Sequence, residues 1–349
     1  MKTCHIFDED IEYLARLSLW KKLSGKTLMI TGATGMLGSY LAFAANKANL
    51  IGGYGIRLVL SGRNSQKAKQ LFDNIECRIL LQDIREPLDV DGPLHYIIHT
   101  AGPVGPAVFE KNPLEVISVN VEGTMSLLRS AIQHDCLGVV FASTHEVYGK
   151  AEGEQKESSI LGAVDPYDPR SSYILAKQTA ENILACFSST YGLKSASARL
   201  SRLYGPLMNM DSGLFICSFI NDALHNMPVH VRGELNQLRP LCYIADAAEA
   251  MLRILLNADR GEAYNVQGKE LPTIGDIALM VSEIGNCGVK FDKPETGNKP
   301  ATGYWLNTDR IERLDWRQRT GLLEGLRRTM NFFAGSETEN EEKEKDQRN

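Results

Sequence analysis

The chain has 349 residues, 43% hydrophobic and 23% charged, enough to bury one large core or two joined ones. A net charge of -5 and a pI near 5.9 give no overall electrostatic footprint for nucleic acid or anionic membrane, so neither is an expected partner. The seven cysteines are dispersed, with no Cys-x-x-Cys and no Cys/His cluster, and no apolar run reaches the length of a membrane span. Neither a metal site nor a disulfide framework is therefore expected.

The N-terminus carries Asp8, Glu9, Asp10 and Glu12 where a signal peptide needs basic and then apolar residues, so the expected location is the cytoplasm. Ile11, Leu14, Leu17 and Trp20 fall at helical spacing, which predicts one amphipathic helix over 8–23. A short apolar run, 27–30, then leads into Thr31-Gly32-Ala33-Thr34-Gly35-Met36-Leu37-Gly38, and an apolar-periodic segment follows over 36–48. The order strand, glycine turn, helix suits a phosphate. Gly32 allows the tight exit, Gly35 leaves bare amides open, Gly38 lets helix and sheet approach, and the helix N-terminus faces negative charge. Thr34, Met36 and Leu37 are expected to line the same pocket. The spacing is Gly-x-x-Gly-x-x-Gly, not the Gly-x-Gly-x-x-Gly of the commonest dinucleotide fingerprint.

A second strand is predicted over 57–61. It ends Ser61-Gly62-Arg63-Asn64 with no carboxylate, where an acidic residue ordinarily binds the adenosine ribose of NAD. Ser61 and Arg63 suit a 2′-phosphate, so the cofactor expectation is NAD(P) with a lean to NADP. Strands over 78–81, 95–99 and 138–142 alternate with helices, one of them over 113–134, which predicts an α/β fold with a doubly wound parallel sheet of Rossmann-like type. Its ligands belong at the carboxyl ends of the strands. Beyond residue 200 the alternation loosens into a smaller mixed α/β lobe. The expected organisation is an N-terminal helix in 1–25, a dinucleotide-binding domain in 26–200, a substrate lobe in 201–334 and a disordered charged tail in 335–349.

Two further clusters carry chemistry. Tyr173 and Lys177 lie four apart at the start of a helix predicted to run to about residue 191, so they share one face, and an ammonium there favours the phenolate. Ser143-Thr144-His145-Glu146-Val147-Tyr148-Gly149 places four polar side chains at the ligand end of the strand over 138–142.

A nucleotide turn, a hydroxyl-rich strand end and Tyr-x-x-x-Lys, in that order, resemble the extended short-chain dehydrogenase/reductase family, in particular its nucleotide-sugar epimerases, dehydratases and decarboxylases. The resemblance spans roughly 26–333. It implies that Gly32, Gly35 and Gly38 hold the cofactor, that Asp83 and Ile84 touch its adenine, and that Ala101 and Gly102, in a loop similar to the decarboxylases' Ala-Ser-Pro-Ala-Ser-Pro, lie beside it. It further implies that Thr144, Tyr173 and Lys177 are the catalytic group, Lys177 also holding the nicotinamide ribose, and that Glu146 matches the glutamate of dehydratases and UDP-glucuronate decarboxylases. Arg239 matches an arginine that binds the substrate diphosphate. Three positions depart from the pattern: Arg202 stands where an asparagine contacts the sugar nucleotide, His145 replaces an aspartate or serine, and Leu207 replaces an arginine. Arg202 and His145 remain candidate substrate contacts.

The implied reaction begins with oxidation of the C4 hydroxyl of a nucleoside-diphosphate sugar, Tyr173 taking the proton and Thr144 orienting the hydroxyl. The C4 ketone then permits proton abstraction at C5 by Glu146 with loss of water, or decarboxylation of a uronic acid. A C4 epimerase, a 4-keto reductase and a non-catalytic cofactor-binding regulatory subunit are the alternatives. The resemblance also implies a homodimer, joined through the helices over 113–134 and 171–191.

Overall fold

The computed structural model describes residues 5–292 and 301–346. In chain order the elements are α1 (His5–Ala15), β1 (Thr27–Thr31), α2 (Met36–Gly52), β2 (Arg57–Gly62), α3 (Ser65–Phe72), β3 (Arg78–Leu81), β4 (Tyr96–His99), α4 (Pro106–Lys111), α5 (Pro113–Gln133), β5 (Gly138–Thr144), β6 (Gly153–Gln155), α6 (Ser172–Tyr191), β7 (Ser195–Leu200), β8 (Arg202–Tyr204), α7 (Phe215–Leu224), β9 (Val229–Val231), β10 (Leu241–Tyr243), α8 (Ile244–Asn257), β11 (Glu262–Val266), α9 (Ile274–Ile284), β12 (Val289–Phe291), β13 (Tyr304–Leu306), α10 (Asp309–Glu312) and α11 (Leu322–Asp346). Seven strands form one sheet in the order β11-β7-β5-β4-β1-β2-β3, and every adjacent pair in it is parallel. Strand order reverses between β1 and β4, and the ligand crevice of such a sheet lies outside the carboxyl ends of the strands there.

The sheet is covered on both faces, and its central strands read as unbroken apolar runs, Leu28, Met29 and Ile30 in β1 and Val139, Val140 and Phe141 in β5. The expected domain boundary at 200 does not follow the chain's path. After the small strands β8, β9 and β10 the chain returns, and β11 pairs with β7 at the edge of the main sheet. Each of the remaining strands pairs in parallel with a distant partner: β10 with β8, β12 with β9 and β13 with β6.

Two expectations are corrected. The helix expected over 8–23 is broken: α1 ends at Ala15 and a separate 3-10 turn runs Ser18–Leu23. Trp20 Nε1 donates to the carbonyl oxygen of Leu14 at 2.7 Å, a bond that requires the chain to fold back and buries the indole completely. The charged stretch expected to be disordered instead continues α11 as far as Asp346, consistent with its wealth of Glu and Lys, both strong helix formers. Residues 347–349 of that stretch, and Cys4, lie outside the described residues. The six described cysteines are free. No helix among the described residues is long and apolar enough to cross a membrane.

Candidate active site

The glycine turn has the geometry its residues imply. Gly32 has φ +64°, and a Cβ there would lie 2.7 Å from the backbone of Ala101, so only glycine lets the loops after β1 and β4 meet. A Cβ on Gly38 would lie 2.5 Å from the Gly32 carbonyl oxygen. Gly35 forms the N-cap of α2 with no side chain to satisfy the first-turn amides, which leaves them for an anion. Thr34 packs toward Gly62, and Met36 and Leu37 begin α2.

At the far end of this crevice Ser61 is buried at the end of β2, and Arg63 is engaged. Arg63 donates to Glu115 at 2.8 Å and lies 3.9 Å from Asp83. Asp83 is itself clamped by Arg85, at 2.8 and 2.7 Å, and that hydrogen bonding holds its carboxyl down at about 2. Ile84 is buried under α5, where a Cβ on Gly123 would lie 2.6 Å from it.

The catalytic candidates meet at the carboxyl edge of β5. Thr144 ends that strand, and its hydroxyl accepts from the amide of Glu146 at 3.2 Å, capping the 3-10 turn His145–Tyr148. The turn thereby fixes three neighbouring functional groups at once. Tyr173 and Lys177 occupy one buried face of α6. Burial, with the Glu146 charge adding to it, pushes the Tyr173 phenol up, and a hydrogen bond with Thr144 pulls it down. Lys177 donates to the Ala142 carbonyl oxygen at 2.8 Å and lies 4.3 Å above the centroid of Phe141; burial lowers it to about 7 against the opposing pull of Glu181.

Two residues that sequence reasoning passed over complete this corner. Asn120 donates to the Val116 carbonyl oxygen, but its buried Oδ1 has no partner. A Cβ on Gly102 would lie 3.2 Å from that oxygen and 3.7 Å from Lys177 Nζ, so Gly102 keeps open a space faced by one acceptor and one ammonium. A ribose with its hydroxyls fits that pair of groups, and the uncapped turn fits a pyrophosphate. Phe109 of α4 stacks on Tyr173 with centroids 4.2 Å apart and planes 12° from parallel. A polar Asn on the buried stripe of a helix was the available signal for Asn120; nothing local marked Phe109.

The substrate candidates meet in a second opening of about 400 Å³, lined by His145, Arg202 and Arg239 together with Ser201, Gln237 and Tyr304. The Arg202 guanidinium makes no hydrogen bond or ion pair among the described residues, and burial lowers its pKa. Arg239 donates to its neighbours Gln237 and Leu238, and burial beside Arg202 lowers it to about 10. Among the described residues no carboxylate is bonded to either guanidinium, although the Glu146 charge acts on both, and two cations held this close suit an anionic guest. Leu207, the third departure, adopts left-handed backbone with φ 64°. No group of three or more His, Cys, Asp or Glu suited to a metal occurs among the described residues.

Residues 28–266 match the model of the NAD dependent epimerase/dehydratase family. The chain belongs to that family. It is 29% identical over 315 residues to UDP-glucuronic acid decarboxylase 1 of Arabidopsis thaliana, covering 88% of this chain and 69% of that protein. In solved structures this epimerase/dehydratase family member resembles the dTDP-glucose 4,6-dehydratase DesIV of Streptomyces venezuelae, determined with NAD bound, with a TM-score of 0.75, 23% identity and coverage of 89% and 98%. It also resembles the UDP-glucose 4-epimerase of Thermotoga maritima, determined with UDP-glucose, with a TM-score of 0.75, 21% identity and coverage of 89% and 99%. At these identities the structural likenesses establish the fold of an epimerase/dehydratase enzyme, while the reaction has to be argued from the site.

Proposed function

We propose that the chain binds a nucleoside-diphosphate sugar, oxidises its C4 hydroxyl transiently, and uses the C4 ketone for chemistry at C5 and C6. The observation that carries this reading is the convergence of Thr144, Tyr173 and Lys177 on one corner of the sheet edge, next to an opening with two arginines that bond no carboxylate among the described residues. Gly32, Gly35 and Gly38 would hold the pyrophosphate of NAD(P), and Asn120 and Lys177 its nicotinamide ribose. When bound, the cofactor would accept the C4 hydrogen as hydride and later return it.

Each residue then has a defined task. Tyr173 takes the hydroxyl proton, which requires its high pKa to fall; the ammonium form of Lys177 provides the favourable charge. Thr144 holds the 4-hydroxyl in line. Arg239 and Arg202 neutralise the diphosphate and any acidic group of the sugar. On a uronic acid the C4 ketone makes the C6 carboxylate a β-keto acid; carbon dioxide leaves with no proton donor at the leaving group, the electron pair of the C5–C6 bond passes into a C4–C5 enolate, and C5 then takes a proton from water. On a hexose, Glu146 removes the C5 proton, and the same carboxyl can pass that proton to the departing 6-hydroxyl so that it leaves as water. The likeness to UDP-glucuronic acid decarboxylases and the two arginines support the uronic acid branch.

Incubating the protein and cofactor with UDP-, dTDP-, GDP- and CDP-sugars, and resolving products by mass, tests the proposal. Loss of carbon dioxide from a nucleotide uronic acid is expected. Loss of water instead selects dehydration, and an altered sugar of unchanged mass selects epimerisation. Stoichiometric consumption of NADPH selects a reductase. Cofactor binding with no turnover on any substrate refutes the catalytic reading in favour of a regulatory subunit.

A further inference from the structure

The His145 ring nitrogen Nδ1 lies 2.8 Å from the Tyr304 hydroxyl, and the same hydroxyl lies 3.0 Å from the His145 carbonyl oxygen, to which it donates. Tyrosine has one proton to give, and a carbonyl oxygen can only accept. The phenol's proton is thus committed to the carbonyl, and the phenol oxygen must receive a proton from Nδ1. Proton bookkeeping at this pair fixes the tautomer: Nδ1 carries hydrogen and Nε2 carries the lone pair. Nε2 makes no hydrogen bond among the described residues, while His145, Tyr304, Arg202 and Arg239 line the same opening. The groups facing the imidazole agree with a neutral ring. Burial is the chief force against a positive charge on the ring, and Arg202 on β8 and Arg239 ahead of β10 add to it. Glu146, on the same turn, bears on Arg202 and on Tyr304.

We infer that Tyr304 is a positioning residue that locks His145 in its Nδ1-protonated, neutral form, so that Nε2 is a fixed hydrogen-bond acceptor for a hydroxyl of the sugar. The inference rests on the reading that this opening takes a nucleotide sugar. It divides the opening by chemistry: Arg202 and Arg239 take anionic oxygens, and His145 takes a donor and repels an anion. It also deprives this position of the proton that a departing 6-hydroxyl needs, so His145 does not serve as the acid of a dehydration.

The test uses the full-length protein loaded with NAD and labelled with ¹⁵N-histidine, the His145 signals being assigned by their loss in His145→Gln. Wild type is expected to show a protonated Nδ1 and an unprotonated Nε2 that does not titrate between about pH 5.5 and 8. A protonated Nε2, or an imidazolium in that range, overturns the inference. Tyr304→Phe, checked for retained NAD binding, is expected to give averaged tautomer signals and to raise the KM for the sugar nucleotide by roughly tenfold with a smaller change in kcat, the size of one lost hydrogen bond. An unchanged His145 spectrum in that variant removes Tyr304 from the role. Adding UDP alone should leave the Nε2 signal in place, and adding a UDP-sugar should move it. Movement by UDP alone, or by no nucleotide sugar of the panel, refutes the hydroxyl contact. Because the tautomer and its titration are read before any nucleotide sugar is added, their outcome is separate from that of the proposed reaction.

Discussion

Lys177 and Ala142 are joined by a 2.8 Å hydrogen bond from the ammonium to the carbonyl oxygen, deep under the end of β5. This bond does not offset the loss of water, for burial still lowers the amine to about 7. An unfolded lysine titrates near 10.4. Between these values the unfolded chain binds more protons than the folded one, so stability rises with pH across about 7 to 10 and the whole cost of the buried charge is borne below 7. Lys177→Met lacks that cost. Without cofactor it is expected to be more stable than wild type near pH 6, the advantage shrinking toward about pH 10. Urea unfolding at several pH values measures both proteins, and parallel stability curves would contradict the shift.

Tyr173 and Glu146 act at different steps of the proposed reaction. Tyr173→Phe deletes the group that takes the first proton, so oxidation at C4 should fall by about two to four orders of magnitude. Glu146→Gln keeps the shape and removes the base. On a hexose substrate it should still form reduced cofactor and the 4-keto sugar, yet incorporate no deuterium at C5 and release no water. Dehydration at the wild-type rate would remove Glu146 from that step. A uronic acid substrate loses carbon dioxide without C5 deprotonation, so there Glu146→Gln should slow the reaction less than Tyr173→Phe does.

Arg63 is the residue expected to set cofactor choice. Its guanidinium is bonded to Glu115, so it meets a 2′-phosphate only by giving up part of that contact. Arg63→Ala is expected to weaken NADP several-fold and leave NAD nearly unchanged. Glu115→Gln should do the reverse and strengthen NADP. Titration of both cofactors into each variant decides, and equal changes for the two cofactors would dispose of the role.

Association is expected through α5 and α6. Leu114, Ile117, Val121 and Met125 form a stripe on α5 at helical spacing; Leu114 is 80% and Ile117 41% exposed. A second copy of the chain would cover that stripe. Ile117→Glu should convert a dimer to a monomer in sedimentation at micromolar concentration, and a wild-type monomer would end the proposal.

The parts of the site written in local pattern were legible in the sequence. The glycine turn, Tyr173 with Lys177, and Thr144 at a strand end each depend on residues within one turn of chain. β7 was missed because Ser-Ala-Ser-Ala-Arg-Leu has few of the β-branched and aromatic residues that mark strands; burial between neighbours makes it one. Tyr304 was missed because pairing of β13 with β6, about 150 residues apart, is what carries it to His145. By spacing Trp20 reads as one more apolar position on a continuous helix, but its indole N–H needs an acceptor and finds it in the Leu14 carbonyl across the break after Ala15.

The return of β11 to the main sheet has a consequence for synthesis on the ribosome. When residue 200 has emerged, β7 is the last strand available, and its outer row of amides and carbonyls has no neighbour until residues 262–266 follow some sixty residues later. During that interval the nascent chain displays an unpaired sheet edge, the kind of surface that recruits other strands. A fragment ending at residue 200 would keep that edge permanently, and aggregation rather than an isolated nucleotide-binding half is its expected fate.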